Sequence, residues 1–248
     1  MSLAGRLAFV TGAGSGIGRA TCFGLAKEGA IVVAADKNFI AVQDTVDILP
    51  KSTSEHHLPI EVSVENLQDV ENALNKTLNI FSRPPVVIVN AAGITRDNFI
   101  SKLSESDFQQ VLDVNLKGTF LILKTFANAM VQGQVQQGSI INIGSVVAKF
   151  GNIGQANYCA SKAAVDLLTK VSSKEFGRMG IRVNTVLPGM IETQMIKSVP
   201  DKVKGKFLEM IPLGRFGQAE EIAQVITFLA SDKSSYINGA SIEVTGGL

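Results

Sequence analysis

"LAFVTGAGSGIG", residues 7–18, is an apolar run that closes in a cluster of glycines. The run has strand length and does not alternate with polar residues, so it reads as a strand covered on both faces. Gly12, Gly16 and Gly18 then follow a T-G-x-x-x-G-x-G spacing, wider in its first gap than the common G-x-G-x-x-G. Gly12 permits a tight turn, Gly16 lets a backbone approach a pyrophosphate, and Gly18 permits close helix–sheet contact. The helix that opens here offers free N–H groups to an anion. Alone, the motif fits a plain strand-to-helix turn as well.

The same unit repeats along the chain. Strand-like runs fall at 30–36, 58–64, 85–93, 138–145, 181–189 and 240–247. Helical patterns separate nearly all of them, including a long one over about 105–132 and another over about 157–177. Seven strands alternating with helices predict one doubly wound α/β domain over 1–248, its parallel sheet covered on both faces. No Pro/Gly/Ser linker divides it.

Composition narrows the function classes. A net charge of +1 gives no electrostatic pull toward nucleic acid or a membrane surface. No apolar run approaches the roughly 20 residues of a membrane span. The chain enters its first strand at once, which leaves no room for a cleavable targeting segment; a cytoplasmic or mitochondrial-matrix location is expected. Cys22 and Cys159 lie far apart without metal-ligand spacing, and read as buried free thiols with no metal site. The adjacent His56 and His57, the chain's two histidines, read as solvated loop residues, so no histidine is placed to act as a general base.

Asp36 ends the second strand, 18 residues after Gly18. A carboxylate there accepts hydrogen bonds from an adenosine ribose diol and repels a 2′-phosphate, favouring NAD over NADP. Ser15 offers no cation for such a phosphate, although Lys37 follows immediately. Helix N-cap is the other role open to Asp36, and the two are compatible.

"YCASK", residues 158–162, sets Tyr158 and Lys162 four apart, on one face of a helix. A free tyrosine titrates near pH ~10 and is a poor base at neutrality. A neighbouring ammonium lowers that value, and the phenol becomes a usable acid/base for a carbonyl/alcohol pair. Ser145 closes the fifth strand at the carboxyl edge of the sheet, where its hydroxyl could hold a substrate oxygen. Asn115 lies inside a helix, against its propensity, which suggests a hydrogen-bonding task. Taken singly, the four read as a core edge, a solvated face, a cap and a kink.

Taken together, the order and spacing of "TGAGSGIG" (11–18), "NAAG" (90–93), Asn115, Ser145, Tyr158/Lys162 and "PG" (188–189) with Thr193 resemble the short-chain dehydrogenase/reductase family over essentially the whole chain. The resemblance implies a single-domain Rossmann fold. It makes Tyr158 the proton donor/acceptor, and gives Lys162 the tuning of that phenol and the nicotinamide ribose. Ser145 orients the carbonyl, Asn115 holds a relay water, and Thr193 meets the carboxamide. It assigns cofactor contacts to Gly12, Ser15, Gly16, Ile17, Gly18, Asp36, Val64, Asn90, Ala91 and Gly93, and to Pro188, Gly189, Ile191 and Thr193. Ser63 stands where many members carry an aspartate on the adenine.

Residues 138–165 look like 3-oxoacyl-acyl-carrier-protein reductases, whereas 81–97 and 236–248 look like the 17β-hydroxysteroid dehydrogenase type 8 branch. In the former, basic residues beside the mouth hold an acidic carrier; the matching positions here are Ser139 and Met179, beside Arg178. The segment at about 190–217 is expected to cover the substrate with Met195, Ile196, Val199, Phe207 and Met210. The leading expectation is an NAD-dependent oxidoreductase of 3-hydroxyacyl/3-oxoacyl thioesters in fatty-acid metabolism. A 17β-hydroxysteroid or general carbonyl oxidoreductase, and an NAD-binding structural subunit, are the alternatives. The resemblance further implies a homotetramer, or a hetero-tetramer with a related reductase.

Overall fold

A computed structural model describes residues 2–51, 56–197 and 201–248. The strands are β1 (Leu7–Thr11), β2 (Ile31–Asp36), β3 (Leu58–Glu61), β4 (Val87–Asn90), β5 (Gly138–Ile143), β6 (Ile181–Pro188) and β7 (Ser241–Val244). The helices are α1 (Gly16–Lys27), α2 (Phe39–Asp47), α3 (Leu67–Phe81), α4 (Glu105–Leu112), α5 (Thr119–Gln132), α6 (Val147–Phe150), α7 (Ala156–Gly177), α8 (Gln194–Lys197), α9 (Asp201–Met210) and α10 (Ala219–Ala230). All seven strands form one parallel sheet in the order β3-β2-β1-β4-β5-β6-β7. The order reverses direction between β1 and β4, so the loops after these strands part and leave a crevice at the carboxyl edge.

The unbroken apolar runs follow from burial on both faces. All five residues of β1 are buried. Ala8 and Val10 face the core formed with α1, α2 and α10, whereas Leu7 and Phe9 face the core under α3 and α5. Phe9 meets Phe126 there, with ring centroids 4.3 Å apart. Cys22 is fully buried in the first core, where burial pushes its thiol up out of reach of reaction. Cys159 is half-buried rather than buried.

Two expectations change. The long helix at 105–132 is interrupted by a π-helical turn at Asp113–Gly118, which contains Asn115. Such turns are often found at functional sites. His57 is not simply solvated. Its Nδ1 accepts the Val32 N–H at 3.0 Å, and its Nε2 lies 2.8 Å from the Pro50 carbonyl. Pairing with β3 begins one residue later, at Val33, so the ring supplies the acceptor that the sheet edge lacks. His56 is exposed. No described helix is long and apolar enough to cross a membrane.

Candidate active site

The turn after β1 is built from glycines for steric reasons. Gly12 has φ +64°, and a Cβ there would lie 2.8 Å from the Ala91 backbone of the loop after β4. At Gly18 a Cβ would sit 2.1 Å from the Gly12 carbonyl oxygen, so this glycine seats α1 against the turn itself. Because that neighbour is backbone and cannot give way, Gly18→Ala is expected to cost about 3 kcal/mol or more and to weaken cofactor binding at least tenfold. Thermal melting and a cofactor titration check both. Gly16 has φ +51°, and Thr193 packs over it at 3.3 Å from a built Cβ. Ser15 makes no side-chain capping bond, which leaves the first N–H groups of α1 open to an anion.

Gly14 has a part that spacing did not reveal. Its N–H donates to Asp36 Oδ2 at 3.0 Å, and Asn38 N–H donates to Oδ1 at 3.0 Å. These bonds fix the carboxylate at the end of β2. The cap of α2 is Asn38, whose side chain accepts the Ala41 N–H, so Asp36 is not the helix cap.

These groups line one cavity of about 780 Å³ that runs from Asp36 and Ser63 to Ser145 and Tyr158. Its wall includes Ile17, Val64, Ala91, Gly93, Lys162, Pro188, Gly189 and Ile191. Two expected site residues are set back from it. Asn90 is 3% exposed, and its Nδ2 donates to Asn142 Oδ1 on the adjacent β5 at 2.8 Å. Its Nδ2 therefore braces the sheet, while its Oδ1 has no partner among the described residues. Asn115 is fully buried, with its Oδ1 accepting the Ile94 N–H at 2.8 Å. Its Nδ2 donates to the Ile94 carbonyl and to Ser161 Oγ, at 3.0 and 3.1 Å. The π-turn thus pins the loop after β4 to α7 through three bonds of this amide.

The electrostatics differ from the expected pattern. Burial pushes the Tyr158 phenol up to about 12; a hydrogen bond with Ser145 opposes the shift, while Cys159 and Asp97 add to it. Lys162 Nζ donates to the Ile143 carbonyl at 2.7 Å and lies 5.7 Å from the Tyr158 ring centroid. Burial lowers this lysine to about 8. Desolvation is the largest cause of the upward shift, which favours the neutral phenol.

Over the substrate end, Ile196, Val203 and Phe207 line the cavity. Met210 is 59% exposed and does not line it. Val199 and the Met195 side chain lie outside the described residues. Asp97, Asn152 and Gln155 also face the cavity and carry no local sequence signal. Ser139 is the second residue of β5, at the opposite edge of the sheet from the cavity, with its hydroxyl donating to the Leu229 carbonyl. Met179 follows the carboxyl end of α7. Neither carrier-matching position lies beside the mouth within this chain.

The comparisons agree with this geometry. A family model described as enoyl-(acyl carrier protein) reductase matches residues 12–248. The (3R)-3-hydroxyacyl-CoA dehydrogenase of Mus musculus is 50% identical, covering 100% of this chain and 98% of its own. The 3-oxoacyl-[acyl-carrier-protein] reductase of Thermotoga maritima is 43% identical, with coverages of 100% and 99%. A solved short-chain type dehydrogenase/reductase from Mycobacterium marinum superposes with a TM-score of 0.93 at 32% identity, covering 99% of this chain and 96% of its own. An Agrobacterium tumefaciens chain solved with NADP bound gives 0.89 at 34% identity, with coverages of 99% and 97%. With a Ser–Tyr–Lys constellation at the carboxyl edge of a parallel sheet and relatives aligned over nearly all its length, this chain belongs to the short-chain dehydrogenase/reductase family.

Proposed function

We propose that the chain is an NAD-dependent oxidoreductase that interconverts 3-hydroxyacyl and 3-oxoacyl thioesters. The observation that carries the chemistry is the placing of Ser145, Tyr158 and Lys162 together on the wall of a cavity that begins at a glycine turn, with Lys162 Nζ 5.7 Å from the Tyr158 ring centroid. The substrate class is supported by relatives of about half identity that act on 3-hydroxyacyl-CoA.

The residues present fit a nicotinamide dinucleotide. The open N–H groups of α1 suit its pyrophosphate, Asp36 its adenosine ribose, and Lys162 the ribose nearest the reacting centre. The cofactor, when bound, supplies or accepts the hydride. The protein manages position and protons. In reduction, the hydroxyls of Ser145 and Tyr158 bind the carbonyl oxygen. As its carbon becomes tetrahedral, Tyr158 gives its proton to that oxygen, and the Lys162 ammonium stabilises the phenolate left behind. A solvent proton restores the phenol. Oxidation runs the same path backwards.

Preference for NAD rests on Asp36. Its fixed carboxylate offers acceptors to a ribose diol and repels a 2′-phosphate. Asp36→Asn is expected to raise the NADPH/NADH ratio of kcat/KM about tenfold, in line with the loss of a charge-assisted hydrogen bond. The deciding experiment compares acetoacetyl-coenzyme A with NADH and estradiol with NAD, each repeated with the phosphorylated cofactor. A preference for estradiol would replace the thioester reading, and a preference for NADPH would overturn the role of Asp36.

A homotetramer is the assembly we infer. Leu167 and Val171 on α7 and Phe120 on α5 are exposed apolar residues on the two long helices that the family resemblance pairs across subunits. Light scattering of the purified protein checks the mass.

A further inference from the structure

We propose that Asp97 is a positioning residue that gives the cavity selectivity for substrates carrying a second carbonyl, acting through the amide of Gln155. The proposal rests on the oxidoreductase reading above and concerns which carbonyl compounds are accepted.

Asp97, Gln155 and Asn152 line the same cavity as Ser145 and Tyr158. Gln155 Nε2 donates to Asp97 Oδ2 at 3.0 Å, and Asn152 Nδ2 donates to Gln155 Oε1 at 2.9 Å. An ionised carboxylate can only accept, so the end of Gln155 that faces Asp97 must be its NH₂. The amide oxygen is then left toward Asn152, whose own donor end must face it. One carboxylate therefore sets the polarity of two amides in series. Arg96 does not quench this charge: its guanidinium turns to Gln110 Oε1 and the Thr95 carbonyl, at 3.0 and 2.8 Å.

The backbone around the chain of bonds is clasped as well. Asn98 N–H donates to the Gly154 carbonyl at 2.8 Å, and Asn157 Nδ2 donates to the Arg96 carbonyl at 2.9 Å. The loop after β4 is thereby tied to the segment that leads into α7, three residues ahead of Tyr158. The Gln155 NH₂ spends one N–H on Asp97 and has a second with no protein partner among the described residues. A 3-oxoacyl thioester carries a carbonyl one carbon removed from the one reduced, and its oxygen can accept this N–H. A simple ketone has no group to place there. Without Asp97 the amide is free to turn its oxygen into the cavity, where it repels the second carbonyl.

The test uses the full-length enzyme with acetoacetyl-N-acetylcysteamine, and with trifluoroacetophenone as a ketone lacking the second carbonyl. Asp97→Ala and Gln155→Met are each expected to lower kcat/KM for the thioester about tenfold, the scale of one hydrogen bond. The loss is expected mainly in KM. The double variant is expected to be no worse than either single one, because both changes remove the same contact. Trifluoroacetophenone turnover by Gln155→Met is expected to stay within about twofold. Equal losses on both substrates, multiplicative losses in the double variant, or an unchanged thioester rate in Asp97→Ala would each overturn the proposal. Gln155→Met keeps the question decidable if Asp97→Ala melts early. A wild-type enzyme that reduces the ketone but ignores the thioester would defeat the substrate reading itself, whereas a brisk thioester rate insensitive to Asp97 would defeat the positioning role alone.

Discussion

Tyr158→Phe is expected to lower turnover about a thousandfold while cofactor affinity and melting temperature stay close to wild type. The change removes one oxygen and keeps the ring. In the proposed mechanism that oxygen, on the cavity wall with Ser145, is the proton source for the carbonyl. General acid catalysis by a positioned side chain contributes roughly 10²–10⁴-fold. Ser145 and the bound cofactor would sustain the remainder. Steady-state rates in both directions, a cofactor titration and a melt measure the three quantities. A residual rate within tenfold of wild type would remove Tyr158 from the proton-transfer step.

The same geometry sets a pH dependence. With the phenol pushed up to about 12, the acid form persists throughout the working range. Lys162, lowered to about 8, is the group that titrates first. Once neutral, it no longer stabilises the phenolate that reduction creates. The kcat/KM for reduction should therefore hold below pH 8 and fall above it.

Lys162→Met is expected to abolish most turnover and yet to stabilise the fold at neutral pH. Lys162 is 4% exposed, and burial holds its folded value, about 8, below the 10.5 of a free lysine. Between these values the unfolded chain binds more protons than the folded one, so stability rises with pH across the window. Below pH 8 the folded protein carries the full cost of a desolvated ammonium, on the order of 3 kcal/mol. Methionine fills similar space without charge but gives up the bond to the Ile143 carbonyl, which returns part of the gain. A net increase of about 1–2 kcal/mol corresponds to about 4 °C in Tm for a chain of this size. Melting curves from pH 7 to 10.5 should converge, as wild type gains stability that the variant already has. A variant that melts below wild type at pH 7 would show that the buried ammonium is not a cost to the fold. Stability given up for chemistry at this one residue is consistent with the trade-off expected of active sites.

Much of this was legible from order and spacing. The glycine turn, Asp36 and Ser145 sit where strands end, and the Tyr158/Lys162 pair lies in the first turns of α7, the long helix after β5; a parallel sheet collects these points at one edge. Their positions along the chain thus translate into positions in space. Asn90 was legible as part of a segment that supports the sheet and Asn115 as a hydrogen-bonding residue, but not the partners of either amide. Whether an amide faces a cavity or a neighbouring strand depends on the register Asn90↔Asn142 and on the π-turn at Asp113–Gly118. His57 was misjudged for a similar reason: its partner, Val32, is supplied by a strand 25 residues away.

The sequence by itself determined the α/β repeat, the edge of the sheet at which the cavity opens and the candidate residues Ser145, Tyr158 and Lys162 that share its wall, because periodicity and motif spacing are local properties of the chain. The tertiary structure alone decided the protonation and the wall. Desolvation of Tyr158 and Lys162 depends on everything packed around them, and it reverses the sign expected from the pair in isolation. The Asp97–Gln155 contact joins residues 58 apart through the closure of two loops. No spacing rule reports such a contact, since it exists only after the sheet has brought β4 beside β5 and α7 has docked on them.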